Sequence, residues 1–216
     1  MSKAEETKNR IIQQAADLFN QQGYAGSSMS DIMAATGLKK GGIYNHFASK
    51  DELAIAAFDF AVHQVSQRYI QALKEKQGAI PCLQAIVHTF STGPEEMSLK
   101  GGCPLLNTAI ESDDTHPALR ERTQRAMSRW RNLIHQVVQQ GIEAGEIQPT
   151  VNPDAVATIL ISTLEGSLMM SKLYGDRIHL QRAKEHLDRY VEGLQVRQKA
   201  EGEEEGRRQE GSYTYK

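Results

Sequence analysis

Apolar positions along most of the chain recur at helical spacing. Between residues 5 and 22, Ile11, Ile12, Ala15, Ala16 and Phe19 fall at i, i+4 and i+8 and form one stripe, and Gly23 suits the helix end. Ser28 stands three residues before Asp31, a weak relative of the capping box, and predicts a short helix over 29–36 that Gly37 ends. A second short helix is expected from 39 or 40 to 46. Ser49 with Glu52 is a fuller capping box and opens a long helix to about 76.

After Gly78 an apolar helix carries Ile80, Leu83, Ile86, Val87 and Phe90, with Pro81 tolerable only in its first turn. Residues 92–102 read as loop, and a helix over 104–112 starts at Pro104. His116-Pro117 opens the longest helix, to about 145, with Leu119, Thr123, Ala126, Trp130, Leu133, Val137 and Gly141 on one face. Asn152-Pro153 is a cap followed by a first-position proline, and starts a helix to about 174. A last helix is expected over 177–199. No stretch alternates with period two, so no sheet is expected. Residues 200–216 lack apolar periodicity and are expected to be disordered.

Composition narrows the class. The 216 residues are 39 % hydrophobic and 24 % charged, with a formal net charge of −2. A nucleic-acid site must therefore come from a local positive cluster. Residues 32–50 supply one, with Lys39, Lys40 and Lys50 and no Asp or Glu. Cys82 and Cys103 belong to no CxxC pair, His/Cys quartet or HExxH pattern. We therefore expect no metal, no cofactor and reduced thiols. No run of about eighteen apolar residues and no apolar signal core is visible, so a cytoplasmic location without membrane contact is expected.

Helices two and three, joined across Gly37, predict a helix-turn-helix, whose turn needs a residue at positive φ. The third helix, KKGGIYNHF, turns Ile43 and Phe47 inward and offers Tyr44, Asn45 and His46 as polar tips. It suits a major groove about 12 Å wide. Lys40 and Asn45 are the candidates for base edges, because lysine donates to guanine O6/N7 and asparagine pairs with adenine N6/N7. Gly41 and Gly42 allow close approach, and Lys39 is placed for phosphate. Lys50 starts a helix, where backbone N–H groups favour an anion. Taken singly, Lys39 and Lys40 would be a solvated face, and Tyr44 and Phe47 would be core.

The run SSMSDIMAATGLKKGGIYNHFASKDEL resembles the signature of TetR-family regulators: a capped helix with D-I-x-x-x-x-G, a short recognition helix, Y-x-H-F, then K-x-x-L. The resemblance covers about residues 6–60. By it, Ser28, Tyr44, His46 and Lys50 match the family's phosphate contacts. The family often has Ser or Thr where this chain has Lys39. The resemblance implies an all-α dimer of about nine helices per chain, reading a palindromic double-stranded DNA operator and answering to a ligand. The expected division is a helix-turn-helix domain over 5–64, a helical regulatory and dimerisation domain over 65–199, and the tail.

In the regulatory half, Val156, Ile159, Leu160, Thr163, Leu164, Ser167 and Leu168 recur along one helix, with Gly166 permitting close contact. Leu180, Ala183, Leu187, Tyr190 and Leu194 recur near 3.5 along the next. Together they are expected to form a four-helix interface with a second copy. Cavity candidates are Phe58, Val62, Phe90, Cys103, Leu106, Trp130, Ile134 and Met169. Cys103 precedes the helix from Pro104, where the dipole lowers a thiol pKa, and Lys172 is a candidate neighbour. A small-molecule inducer or an oxidant acting at Cys103 are both open. An enzyme using His88, Glu111, His116 and His135 lacks any spacing that joins them to a nucleophile or metal. A third alternative is a dimerisation module without DNA binding.

Overall fold

The structure is a computed structural model and describes residues 2–92, 100–112 and 116–196. Among these residues there are nine helices and no strand: α1 (Lys3–Gln22), α2 (Met29–Thr36), α3 (Lys40–Tyr44), α4 (Lys50–Leu73), α5 (Ala79–Ser91), α6 (Pro104–Ser112), α7 (Pro117–Glu143), α8 (Pro153–Tyr174) and α9 (Ile178–Glu192).

Local chemistry sets the helix ends. Ser28 and Asp31 make a complete capping box, stronger than the sequence suggested: the Ser28 hydroxyl accepts the Asp31 N–H, and Asp31 accepts the Ser28 N–H at 2.7 Å. The expected Ser49 box is half formed. Ser49 caps Glu52, but the Glu52 carboxylate takes the Ala48 N–H instead. Gly37 closes α2 at φ +68°, in the left-handed region that the turn requires. Asn152 caps α8 through the N–H groups of Asp154 and Ala155, ahead of Pro153.

Four helices end earlier than expected, α3 among them at Tyr44 rather than 46. α4 stops at Leu73 and α7 at Glu143. α9 stops at Glu192 rather than 199. Beyond it, Gln195 pairs with Ile147 in an isolated antiparallel bridge, and Val196 N–H reaches the Glu146 carbonyl at 3.0 Å. Backbone groups that a longer α9 would have used internally are thus satisfied by the α7–α8 connection. Residues 93–99 of the expected loop, residues 197–199 and the expected disordered tail lie outside the described residues.

Two cores form. Ile11, Ala15, Ala16, Ile32, Ile43, Phe47, Leu53, Ala57 and Ala61 pack α1 to α4 together. The larger core joins α4 to α9 around Leu83, Ile86, Trp130, Ile134, Leu160, Leu164 and Leu187. α4 belongs to both, with Leu53, Ala57 and Ala61 on one face and Ala54, Phe58 and Tyr69 on the other. Gly141 lets α7 press on α5, since a Cβ there would lie 2.4 Å from that of Ala79.

The expected interface stripe of α9 is corrected by this packing. Leu180, Ala183 and Leu187 are buried in their own chain, and Tyr190 is half-buried. What α8 and α9 leave outside is on α8, where Ile159, Met169, Met170 and Leu173 are exposed. α8 is apolar enough by length and composition to cross a membrane, yet Val156, Leu160 and Leu164 bury one face of it in the core.

Candidate nucleic-acid interface and ligand cavity

α3 has five residues and is held by its inward side chains. Ile43 and Phe47 are almost wholly buried beneath it, which leaves Lys39, Lys40, Gly41, Tyr44 and Asn45 outward. Lys39 occupies the N-cap without a side-chain cap bond. The Lys40 ammonium lies 5.6 Å from the Tyr44 ring centroid, a cation–π contact between two outward groups. The two glycines differ. A Cβ on Gly41 would meet nothing within 4 Å, whereas one on Gly42 would touch Leu38 at 3.7 Å. Gly41 therefore offers bare backbone to an approaching surface, and Gly42 is part of the packing. His46 is half-buried at the end of this segment.

Ser28 is exposed, but its hydroxyl is engaged with Asp31. Lys50 is engaged too: its ammonium donates to the Tyr24 carbonyl at 2.5 Å and lies 4.1 Å over the Tyr24 ring. The Tyr24 hydroxyl bonds to Asp51, and burial followed by that bond pushes the phenol up to about 12. Lys50 thus buttresses the turn after α1.

The second feature lies between α4, α5, α6, α7 and α8. A cavity of about 240 Å³ is walled by Val62, Val65, Tyr69, Leu73, Phe90, Trp130, Leu133 and Leu168, with Arg68, Arg129 and Cys103 also on it. Phe90 and Trp130 stack within 10° of parallel, with ring centroids 5.7 Å apart. Of the expected lining, Val62, Phe90, Cys103 and Trp130 are there. The others are not. Ile134 is solid core, and Phe58 faces a smaller crevice at the α1–α6 junction. Leu106 packs against the main core, and Met169 is half exposed on the outer face of α8. Lys172 donates to the Gly101 carbonyl at 2.5 Å.

The chemistry of Cys103 is opposite to the expected activation. Its thiol is buried and donates to Glu165 Oε1 at 2.9 Å, and burial together with the adjacent carboxylate pushes its pKa well up. Glu165 is itself buried on α8, which raises its carboxyl from 4.5 to about 7, and its Oε2 has no partner. The indole N–H of Trp130 is likewise buried and unpartnered. Sequence reasoning missed Glu165, Arg68 and Arg129. Glu165 falls four residues after Ile161 and three before Leu168 on α8, both of them buried, and that was the available signal.

α6 connects the two features. Its leading residues Cys103, Pro104 and Leu105 line the cavity, while its far end grips the first domain. Asn20 of α1 donates to the carbonyls of Lys100 and Gly102 at 2.7 and 2.9 Å, and Asn107 donates back to the Asn20 carbonyl at 3.0 Å. The Glu111 carboxylate accepts the N–H groups of Tyr24 and Ala25 at 2.8 and 2.7 Å. Gly101, at φ +101°, makes this contact feasible, because a Cβ there would lie 2.4 Å from the Asn20 carbonyl oxygen. Glu111 and His116, weighed above as acid–base groups, have structural duties: His116 Nδ1 caps α7 by accepting the Leu119 N–H.

Known proteins match both halves of the chain in the same order. Residues 11–57 match the bacterial regulatory proteins of the tetR family, and residues 79–187 match the tetracyclin repressor-like C-terminal domain. A TetR transcriptional regulator from Chloroflexus aurantiacus J-10-FL is 47 % identical, with a TM-score of 0.85 over 88 % of this chain and 96 % of that one. A TetR-family regulator from Cytophaga hutchinsonii is 32 % identical, with a TM-score of 0.84 over 92 % and 99 %. The transcriptional repressor DhaR of Mycobacterium sp. (strain GP1) is 24 % identical over 190 residues, 85 % of this chain and 88 % of that protein. The chain belongs to the TetR family of helix-turn-helix transcriptional regulators, which are not enzymes.

Proposed function

We propose that this regulator is a repressor which grips a palindromic operator as a homodimer and releases it when a small molecule enters the cavity. The observation that carries the DNA half is the outward set on α3: Lys39, Lys40, Tyr44 and Asn45 around the bare backbone of Gly41, on a filled core. Lys40 and Asn45 meet base edges, and Lys39, Tyr44 and His46 meet phosphate. Ser28 and Lys50 contribute mainly by holding the turn and cap that present the motif. The division between reader and regulator, 5–64 and 65–199, falls inside α4, so movement of α4 reaches both. Such a protein works on chromosomal DNA in the bacterial cytoplasm.

Dimerisation is supported by α8. A helix apolar on both faces belongs in an interior. One face is covered by this chain, and Ile159, Met169, Met170 and Leu173 await a second copy. Two copies related by a twofold would set two α3 helices against two half-sites. Of the two signals left open by the sequence, a non-covalent ligand is favoured, because Cys103 is buried and its thiolate disfavoured.

The test is operator binding. Genomic DNA retained by the purified protein is sequenced to obtain the site, and affinity is then measured against salt. Tyr44→Ala is expected to weaken binding on all sequences alike while leaving the salt slope nearly unchanged, because a phenol displaces no counterion. Lys40→Ala is expected to relax specificity at one position, at a cost of about 1–3 kcal/mol. Unchanged affinity in both variants, with normal helicity, would remove α3 from the interface.

A further inference from the structure

The cavity is apolar over most of its wall, and both of the charged residues that line it are cationic. Trp130 lends its ring to the wall, stacked on Phe90. Two guanidinium groups border the same space. Among the described residues Arg68 reaches only the Thr89 carbonyl at 3.5 Å and the Thr92 hydroxyl at 3.3 Å, long contacts for so strong a donor. Arg129 also lines the cavity, with its side chain exposed to solvent and no hydrogen bond or ion pair among the described residues. Positive charge beside a low-dielectric wall attracts an anion, and a guanidinium fork matches a carboxylate.

From this we propose that the cavity takes a compact apolar organic acid, its carboxylate held by Arg68 and Arg129 and its alkyl or aryl body against Val62, Phe90 and Leu133. This rests on the cavity being the inducer site. A volume of about 240 Å³ lies below the roughly 300–1,000 Å³ of pockets for drug-sized ligands, so the ligand is small. Glu165 does not oppose this. It is not among the lining residues, one of its oxygens accepts the Cys103 thiol, and burial keeps much of it protonated near neutrality.

Trp130 is the chain's single tryptophan, so its emission reports the cavity directly. The full-length protein is titrated with octanoate, octanamide and octylamine. Octanoate is expected to change the emission saturably and to bind at least about tenfold tighter than octanamide, with octylamine weakest. In the double variant Arg68→Gln/Arg129→Gln, octanoate affinity is expected to fall by about tenfold or more while octanamide binding is kept. Retained octanamide binding and far-UV helicity show that the variant is folded with its cavity. Octylamine binding tightest would make Glu165 the group that selects the ligand and overturn the proposal. So would equal binding of octanoate and octanamide, an indifferent double variant, or no saturable change with any probe. Octanoate binding that leaves operator affinity unchanged supports the acid site and overturns the inducer reading.

Discussion

The two halves of this regulator are built on opposite packing principles. The nine apolar residues that hold α1 to α4 are each no more than 3 % exposed, and the groups we propose to meet DNA stand outside them. The regulatory half leaves about 240 Å³ open beside Trp130 and keeps Glu165 Oε2 and the Trp130 N–H buried without partners. A reader must hold five or six side chains in fixed register, and a filled core does that. A sensor must change its free energy when something arrives, and unfilled space with unpaired polar groups makes that difference available. α6 is the element on which both depend, since it lines the cavity with Cys103 and holds Tyr24 and Ala25 with Glu111.

The largest expected contrast is in tolerance to truncation. Phe47→Ala empties a site that is 2 % exposed beneath α3, and is expected to cost about 3–5 kcal/mol. Phe90 borders space that is already open, so its truncation leaves fewer lost contacts. Phe90→Ala is expected to cost less than about half as much. Urea unfolding of the two variants checks this. Equal costs would mean that the cavity closes around Phe90 in solution.

Next in size is a pH dependence confined to the regulatory half. Glu165 has its carboxyl raised by burial from 4.5 to about 7, so between these values the folded chain holds a proton that the unfolded chain has lost. Stability therefore falls as pH rises: the contribution is present below about 4.5 and is lost through about 7. A shift of this size corresponds to about 3 kcal/mol. Glu165→Gln removes the titrating group and is expected to gain on wild type between pH 5 and pH 8 by up to about that amount. Unfolding midpoints at the two pH values measure it, and parallel behaviour of both proteins would place Glu165 in contact with water.

The same contrast explains what the sequence revealed. The reader was legible because each of its parts is a local signal. Ser28 with Asp31, Gly37, the KKGG run and the Ile43/Phe47 pair act within a few residues of one another, and all appear where periodicity and capping put them. Helix starts marked by proline, at Pro104, Pro117 and Pro153, were equally readable. The cavity was not, because it is a volume that side chains from five helices fail to fill, and residue type does not distinguish Ile134 in the core from Leu133 on the wall. The α9 stripe misled for a related reason. A 3.5 spacing identifies an apolar face but not what covers it, and Leu187 is covered by its own chain. The early end of α9 depends on pairing with residues 146–148, some fifty positions away, which no local pattern contains.

The smallest expected effect concerns Cys103, where local and tertiary chemistry pull in opposite directions. Its place immediately before α6 is one where the helix dipole lowers a thiol pKa, and the N–H groups of Leu105 and Leu106 do act in that direction. They are outweighed by burial and by Glu165, whose carboxylate both accepts the thiol proton and repels the thiolate. Since the thiolate is the species that attacks peroxide and alkylating agents, Cys103 should react slowly. Cys82 is also raised, by burial first and by Glu146, but it is half-buried on α5 and more accessible. Iodoacetamide at neutral pH is therefore expected to label Cys82 before Cys103 in wild type, as read by mass spectrometry of the digested protein. Peroxide is expected to leave operator affinity within about twofold in both wild type and Cys103→Ser, a difference under about 0.5 kcal/mol. Loss of operator binding in wild type but not in Cys103→Ser would reverse this, and would mean that the cavity opens far enough for Glu165 to take the thiol proton and leave a reactive thiolate behind.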